Sequence, residues 1–568
     1  MSATGQADPQ TAFDRNKHPW LALTALLVGM SMIIIDGSVV NVLLPDMVDD
    51  LGLNSTDVLW VNSIYSLIFA SLLIPIGLIS DRFGRRKLFM IGTLIFLLGS
   101  FGSGASTGPE MLIAFRAVQA VGASMMLPSS IAIINVTYTG KRRAVAFGLW
   151  GAVFGGAAAL GPLLGGWLAQ DFSWRWAFYI NVPVAIISTI MVVRFVPESK
   201  VVSADKLDPL GVLLSVTGLG LIVFGLIEGQ TYGWWVQIKA FTLGPFTHDG
   251  KLSVVPMALV VGILLLILLV LWSKYRLNTG KTPLIDLPLF KIPRYGYGNV
   301  VALVVALGEF GILLVLPLWI QSVTGFDPLA TGVILTGLAI GALVSGGLAR
   351  KLSVALGPTR VVRVGMVLEI IGIVAVALVL DPSRSPWWLM LPLFVYGIGL
   401  GLDSAQLTSV VLEDVPLEKS GRASAMTSTF RQLGSALGAA VLGAILFAGL
   451  GFFTTQDLKG VSNLPEDKQQ QVVEQVKGSA GQAIPQLEKI PELAPEVEAA
   501  KAGYTRAAKE TAYMAAIFML FGLLVSFGLP KDKPGDRADT DDEDADAGGD
   551  GGDGGGGSEV RADVPVAT

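Results

Sequence analysis

Five ionisable side chains stand inside long apolar runs of this 568-residue chain: Asp36, Arg116, Glu309, Glu369 and Asp403. An ionisable group surrounded by hydrocarbon is costly and marks an ion or proton path. Glu309 falls about ten residues into its run, roughly 15 Å deep at 1.5 Å per residue, which is the midplane. Asp36 is about sixteen residues into the first run, nearer the outer face, by the same rise per residue. Asp403 lies in the inner half of its run, Arg116 in the outer half, and Glu369 in mid-run. A carboxyl withdrawn from water holds its proton more tightly, and a cation bound beside it releases that proton. Proton and cationic substrate then exclude each other at one site, which is the chemistry of antiport. Glu309 is the residue expected to carry the proton and Asp36 the second candidate, with Arg116 and Asp403 completing the coupling set. The plainer alternatives are a neutral Glu309 hydrogen-bonded in a helix interface and an Asp36 paired with an arginine. A structural role also suits Asp403, and suits Glu369 more. Glu228, at the outer end of another run, reads as interfacial.

Two other stretches could move rather than bind. Gly77-Leu78-Ile79-Ser80-Asp81-Arg82-Phe83-Gly84-Arg85-Arg86-Lys87 separates two apolar runs and carries four basic residues. Retained Lys and Arg place such a short loop in the cytoplasm. That rule explains the positive charges but not the Gly and Asp positions. Further on, Gly155, Gly156, Gly161, Gly165 and Gly166 leave one helix face without side chains. Small residues let helix backbones approach closely, and Pro162 kinks the helix.

The elements that position these residues are membrane spans. The chain is 52% hydrophobic and 15% charged, against about 25% charged in a soluble domain. It has no Cys, which excludes disulfides and thiolate chemistry, and only two His, His18 and His248, so no metal site is expected. Residues 1–17 are polar and lack a cleavable signal pattern. Runs of about 20 residues, the length a bilayer core requires, predict fourteen spans. These are 20–40, 58–80, 88–106, 110–136, 144–169, 177–196, 209–228, 254–273, 298–320, 329–349, 362–380, 387–412, 423–447 and 511–529. The even-numbered connections hold the basic residues, among them Lys141 to Arg143, Lys274, Arg276, Arg294, Arg363 and Lys419. Both termini are therefore expected in the cytoplasm. Residues 451–510 form an extracytoplasmic loop, in which Val472, Val473 and Val476 predict a helix capped by Asn463 and 494–509 a second one, together a small hairpin. Residues 531–568 are rich in Asp and Gly and predict a disordered acidic tail.

The loop 77–87 resembles the signature between the second and third helices of the major facilitator superfamily, G-x-L-a-D-R-x-G-R-r. Ile35-Asp36-Gly37-Ser38-Val39-Val40-Asn41-Val42 with Pro45 resembles the first-helix motif of that family's fourteen-helix drug:proton antiporters. Arg116 with Gln119 and Gly122 resembles the fourth-helix motif, although Ala120 replaces a usual Gly. Gly161-Pro162-Leu163-Leu164-Gly165-Gly166 resembles the antiporter motif, although Ala157 stands where its leading Gly is usual. Residues 173–183 and Leu207-Asp208-Pro209-Leu210-Gly211 are typical of the same branch. Gly346-Gly347-Leu348-Ala349-Arg350-Lys351 repeats the signature loop weakly, with Arg350 in place of its Asp.

The resemblance implies an all-α membrane protein of two parallel six-helix bundles, residues 20–200 and 296–530, with two inserted helices within 201–295 and an N-terminal segment 1–19. It implies that spans one, four, nine and twelve line the central cavity, and that the eleventh is peripheral. It also implies that Gly77, Asp81, Arg82, Gly84, Arg85 and Arg86 form a cytoplasmic latch closed in the outward-facing state. Gly161, Pro162, Gly165 and Gly166 would seal or pivot against the opposite bundle.

The expected activity is proton-coupled export of amphipathic, often cationic compounds by alternating access. The proton gradient supplies the energy, with no bound cofactor and no nucleic-acid partner. The expected molecule is a monomer in a bacterial cytoplasmic membrane. The alternative is export of an endogenous lipid or metabolite guided by the 451–510 loop. An ATP-driven pump would need a G-x-x-x-x-G-K-[ST] loop, which the chain lacks. Sparse His and absent Cys argue against a membrane enzyme. A channel would conduct without a proton gradient, and a sensor would bind without moving its ligand.

Overall fold

The computed structural model describes residues 18–138, 140–199, 208–243, 246–416, 419–461 and 464–530. The N-terminal segment, the acidic tail and the Asn463 cap lie outside the described residues. So do the side chains of Asp81 and Arg82.

Long apolar helices account for nearly all of it. The first bundle comprises α1 (Pro19–Leu51), α2 (Ser55–Phe83), α3 (Arg85–Gly104), α4 (Pro109–Thr137), α5 (Gly140–Asp171), the short α6 (Trp176–Tyr179) and α7 (Asn181–Phe195). Next come α8 (Pro209–Tyr232), a hairpin of β1 (Phe241–Leu243) and β2 (Phe246–His248), and α9 (Val254–Asn278). The second bundle comprises α10 (Pro293–Thr324), α11 (Pro328–Leu356), α12 (Pro358–Val379), α13 (Met390–Leu412), α14 (Ser420–Val461) and α17 (Ala494–Ser526). Between its last two members lie α15 (Glu466–Gly478) and α16 (Ala483–Leu487). Thirteen helices are long and apolar enough to cross a membrane among the described residues. The 32-residue α5 runs between two of them.

Local chemistry sets the ends. Proline opens α1, α4, α8, α10, α11 and α12, where its missing N–H is not needed. Asn54 and Asp57 form a reciprocal capping box on α2. α1 runs to Leu51, well beyond the span predicted at 20–40. Pro45 is accommodated inside it, and the left-handed Gly52 ends it. Asp36 is thereby near the middle of its helix rather than toward one end. The expected hairpin is also redrawn. α14 and α17 extend as continuous helices past the spans predicted at 423–447 and 511–529, and 494–509 is the start of α17 rather than a separate element. Pro465 precedes α15, with no side-chain cap. Val472, Val473 and Val476 are buried as their spacing predicts. α15 packs with α14 and α17, and α16 with α10 and α17, so this cap belongs to the second bundle.

The inserted pair is external. α8 packs against α9, α2 and α14, and so spans a seam between the bundles. Trp60 on α2 donates to Glu228 on α8 at 2.9 Å. Asp208 caps α8 and accepts from Trp272 and Arg276 of α9. α9 exposes Ile263, Leu264, Ile267 and Leu271, the surface expected where lipid replaces protein.

Candidate functional site

The first bundle holds one closed polar network. Arg116 on α4 donates to Asp36 Oδ2 at 2.6 Å, and Gln119, one turn on, donates to Asp36 Oδ1 at 2.6 Å. Arg116 also donates to Gln119 Oε1 at 2.9 Å, and its guanidinium lies 4.4 Å from the centre of the Tyr65 ring. All three residues are buried. Asn181 stands beside the same carboxylate and donates to Ser100 on α3. Asp36 is thus an ion-paired acid whose lone pairs are occupied, the Arg-paired alternative anticipated from the sequence. A charge-assisted bond of this kind, with a second donor on the other oxygen, fixes the carboxylate's geometry strongly.

The second bundle is the opposite case. Glu309 is near the middle of α10 and half-buried, with Oε2 buried and accepting no hydrogen bond. Asp403 on α13 and Glu369 on α12 are fully buried, and none of their four carboxyl oxygens has a hydrogen-bond partner. Glu369 therefore does not stand apart as a hydrogen-bonded structural acid: it faces Asp403 and lies in the field of Glu309. The cation whose charge reaches all three is Arg431 on α14. The sequence singled out neither Arg431 nor Tyr396. The latter's buried hydroxyl is unpartnered and lies among the same carboxyls. A signal for this cluster existed in the spacing. Gly365 and Glu369, like Gly399 and Asp403, are four residues apart and share a helix face.

The glycine motif of α5 has two faces. Gly161 and Gly165 lie against Ser38 and Val39 of α1, and a Cβ on Gly165 would come within 2.7 Å of Val39. Gly166 abuts the carbonyl of Pro328, and the carbonyl of Pro162 abuts Gly332, both on α11. One helix thus touches its own bundle with two glycines and the opposite bundle with Pro162 and Gly166. Gln321 on α10 donates to the Val42 carbonyl at 3.0 Å, and Ser63 on α2 to the Ala436 carbonyl at 3.4 Å. These contacts hold the bundles together from mid-helix toward the end that bears the cap.

At the far end, the signature loop is tied into its own bundle. Arg85 donates to the Ala132 carbonyl and Arg86 to the Val193 carbonyl. The backbone N–H groups of Arg86 and Lys87 donate to the Glu198 carboxylate at 3.1 Å. Glu198 thereby caps α3, where a carboxylate suits the positive end of the helix. Gly84, at φ +113°, leaves room for it: a Cβ there would lie 2.8 Å from Glu198 Oε1. Gly77 approaches Pro128 of α4.

Comparison with known proteins bears on this architecture. Residues 26–439 match the Major Facilitator Superfamily. An uncharacterized MFS-type transporter of Mycobacterium tuberculosis is 30% identical, over 90% of this chain and 81% of its own length. The multidrug efflux pump LfrA of Mycolicibacterium smegmatis is 28% identical over 92% of this chain and 98% of its own. The puromycin resistance protein pur8 of Streptomyces alboniger is 32% identical over 75% and 81%. A crystal structure of a bacterial homolog of the human lysosomal transporter Spinster, inward-facing and occupied, superposes with a TM-score of 0.62. It covers 91% of this chain and 97% of its own, at 16% identity.

Proposed function

The chain belongs to the Major Facilitator Superfamily, and from that premise we propose that it is a proton-coupled exporter of amphipathic, often cationic compounds. Similarity to LfrA and to the puromycin resistance protein supports the drug-efflux class. The observation that carries the coupling is Glu309 Oε2, withdrawn from water in mid-helix and accepting no hydrogen bond. A carboxylate left so is destabilised until it takes a proton or a cation. Cargo bearing positive charge competes with that proton, so binding of one releases the other. The paired Asp36 and Arg116 fix α1 against α4 and carry the motif as a rigid unit.

The seam supports alternating access. α5 and α11 meet through backbone at Gly166 and Gly332, so the bundles can separate there without withdrawing large side chains. Opening at the capped end is accompanied by closure at the signature-loop end, where Asp81, Arg82, Arg85 and Arg86 form the latch. Both termini and the signature loop face the cytoplasm in this reading.

Export of a lipid or metabolite is the second reading, favoured by the folded cap that the second bundle holds over one end of the membrane domain. Ethidium efflux from energised cells decides between them, comparing wild type with Glu309→Gln, with and without a protonophore. Efflux that needs the gradient and is lost in the variant supports the coupling. A wild type that moves no dye under any gradient overturns the multidrug reading. Deletion of 460–501 that abolishes lipid export while sparing dye efflux would support the second.

A further inference from the structure

α12 and α13 run antiparallel and pack through a reciprocal arrangement of glycine and acid. Gly365 on α12 faces Asp403 on α13, where a Cβ would come 3.0 Å from the Asp403 Cβ. Gly399 on α13 faces Glu369 on α12, where a Cβ would come 2.8 Å from the Glu369 Cγ. One turn further, Gly372 faces Tyr396. Each helix thus supplies the space that the other's acid occupies, and the two backbones are close enough to bring both carboxyls to one place. Neither is reached by water, at 0% exposure for both residues.

Neither carboxyl has a donor. Glu369 and Asp403 lie within hydrogen-bonding reach of each other, but two carboxylates are both acceptors and cannot bond as such. Ser404 lies beside Asp403 without closing a hydrogen bond onto it. The Tyr396 hydroxyl, also fully buried and unpartnered, is an independent sign that this pocket of polarity is incomplete. A single shared proton would supply a donor to one carboxyl and an acceptor to the other, as in buried acid dyads.

We propose that Glu369 and Asp403 hold one proton between them, forming a proton site of the second bundle that is separate from the Asp36–Arg116 pair. The proposal rests on the exporter reading for its role, but not for its existence. The groups that face the pair are Glu309 from α10, Tyr396 from α13 itself and Arg431 from α14. α11 carries its basic residues, Arg350 and Lys351, at one end, and the charged residues of α17 all precede residue 511. Glu309 is the half-buried member and lies in the field of both acids, which makes it the exit for the dyad's proton in this proposal. Arg431 offsets part of the negative charge when the proton departs. Transport would then move a proton through three linked acids rather than one.

The test uses the full-length chain in lipid nanodiscs without substrate, and reads protonated carboxyl groups by infrared difference spectroscopy between alkaline and acidic pH. The expected result is a buried protonated-carboxyl band that is lost in Glu369→Gln and equally in Asp403→Asn. The double variant should lose no further band, and net proton uptake should fall by about one per chain in each variant. A band that survives both variants, or two bands lost independently, overturns the shared proton. So does a wild-type band abolished by sodium but not by choline at constant pH, which would make the dyad a metal-cation site. Should one variant fail to fold, the other together with the wild-type sodium comparison still decides. Because no cargo is involved, absence of dye efflux would leave this outcome readable.

Discussion

Arg116 holds Asp36 at 2.6 Å in a site where both side chains are buried. Removing one partner of such a pair strands the other's charge, a loss of about 3–5 kcal/mol. Arg116→Ala should therefore lower the unfolding temperature sharply, whereas Asp36→Asn with Arg116→Gln should restore much of it, since no lone charge is left. The double variant should still fail in transport. Thermal unfolding in detergent, read beside efflux, checks both. Full stability in Arg116→Ala would mean that the pair contributes nothing to the fold.

The α5–α11 seam makes a second prediction. Gly332 lies against the Pro162 carbonyl with no room for a side chain. Gly332→Val should force the seam apart at a cost of about 1–3 kcal/mol and reduce transport well before it prevents folding. The chain contains no cysteine, so a Ser63→Cys, Ala436→Cys pair, placed where a hydroxyl already reaches across from one bundle to the other, can be introduced without background. Oxidation should link α2 to α14 in the resting protein and stop transport, and reduction should restore it. Transport that continues through the cross-link would show that the bundles do not part there.

The helices, their order and the acids inside them were legible because hydrocarbon imposes length and hydropathy on every span. Asp36 and Arg116 were each legible from their motifs, but their pairing, joined by Gln119, appears only where α1 meets α4. Helix ends were less legible. Hydropathy reports where lipid stops, and α1, α14 and α17 continue past that point because Gly52, or packing against the cap, ends or supports them instead. The family's helix order places Glu369 on a peripheral helix, and a helix's place in the bundle does not report what its neighbour presents to it. The partner of Glu369 comes from the facing helix, and only the opposed glycines bring Asp403 to it.

Gly84 and Glu198 explain part of the signature loop that charge alone does not. Gly84 adopts φ +113°, which L-residues rarely tolerate, and its missing Cβ is what lets Glu198 reach the N-terminus of α3. Gly84→Ala should cost about 1–3 kcal/mol through backbone strain, with the clash against Glu198 in addition. Glu198→Gln keeps the hydrogen-bond acceptor but drops the charge at the helix end, so it should cost less. If the two substitutions prove equally mild by thermal unfolding, the glycine is not there for the cap.

The cap should travel with the second bundle. Gln482 donates to Ser322 of α10 at 2.8 Å, and Tyr504 of α17 donates to the Ala480 carbonyl at 3.2 Å. Toward the first bundle the cap faces a cleft of about 340 Å³, lined by Val48, Asp49 and Asn54 on one side and Gln475, Ser479 and Gln486 on the other. A cross-link that stays within the second bundle, Ser322→Cys with Gln482→Cys, should therefore leave transport intact. A bifunctional reagent spanning the cleft, Asn54→Cys with Gln486→Cys, should arrest it, because it ties together surfaces that must separate when the capped end opens. Arrest by the first pair but not the second would place the moving boundary inside the second bundle, between the cap and α10.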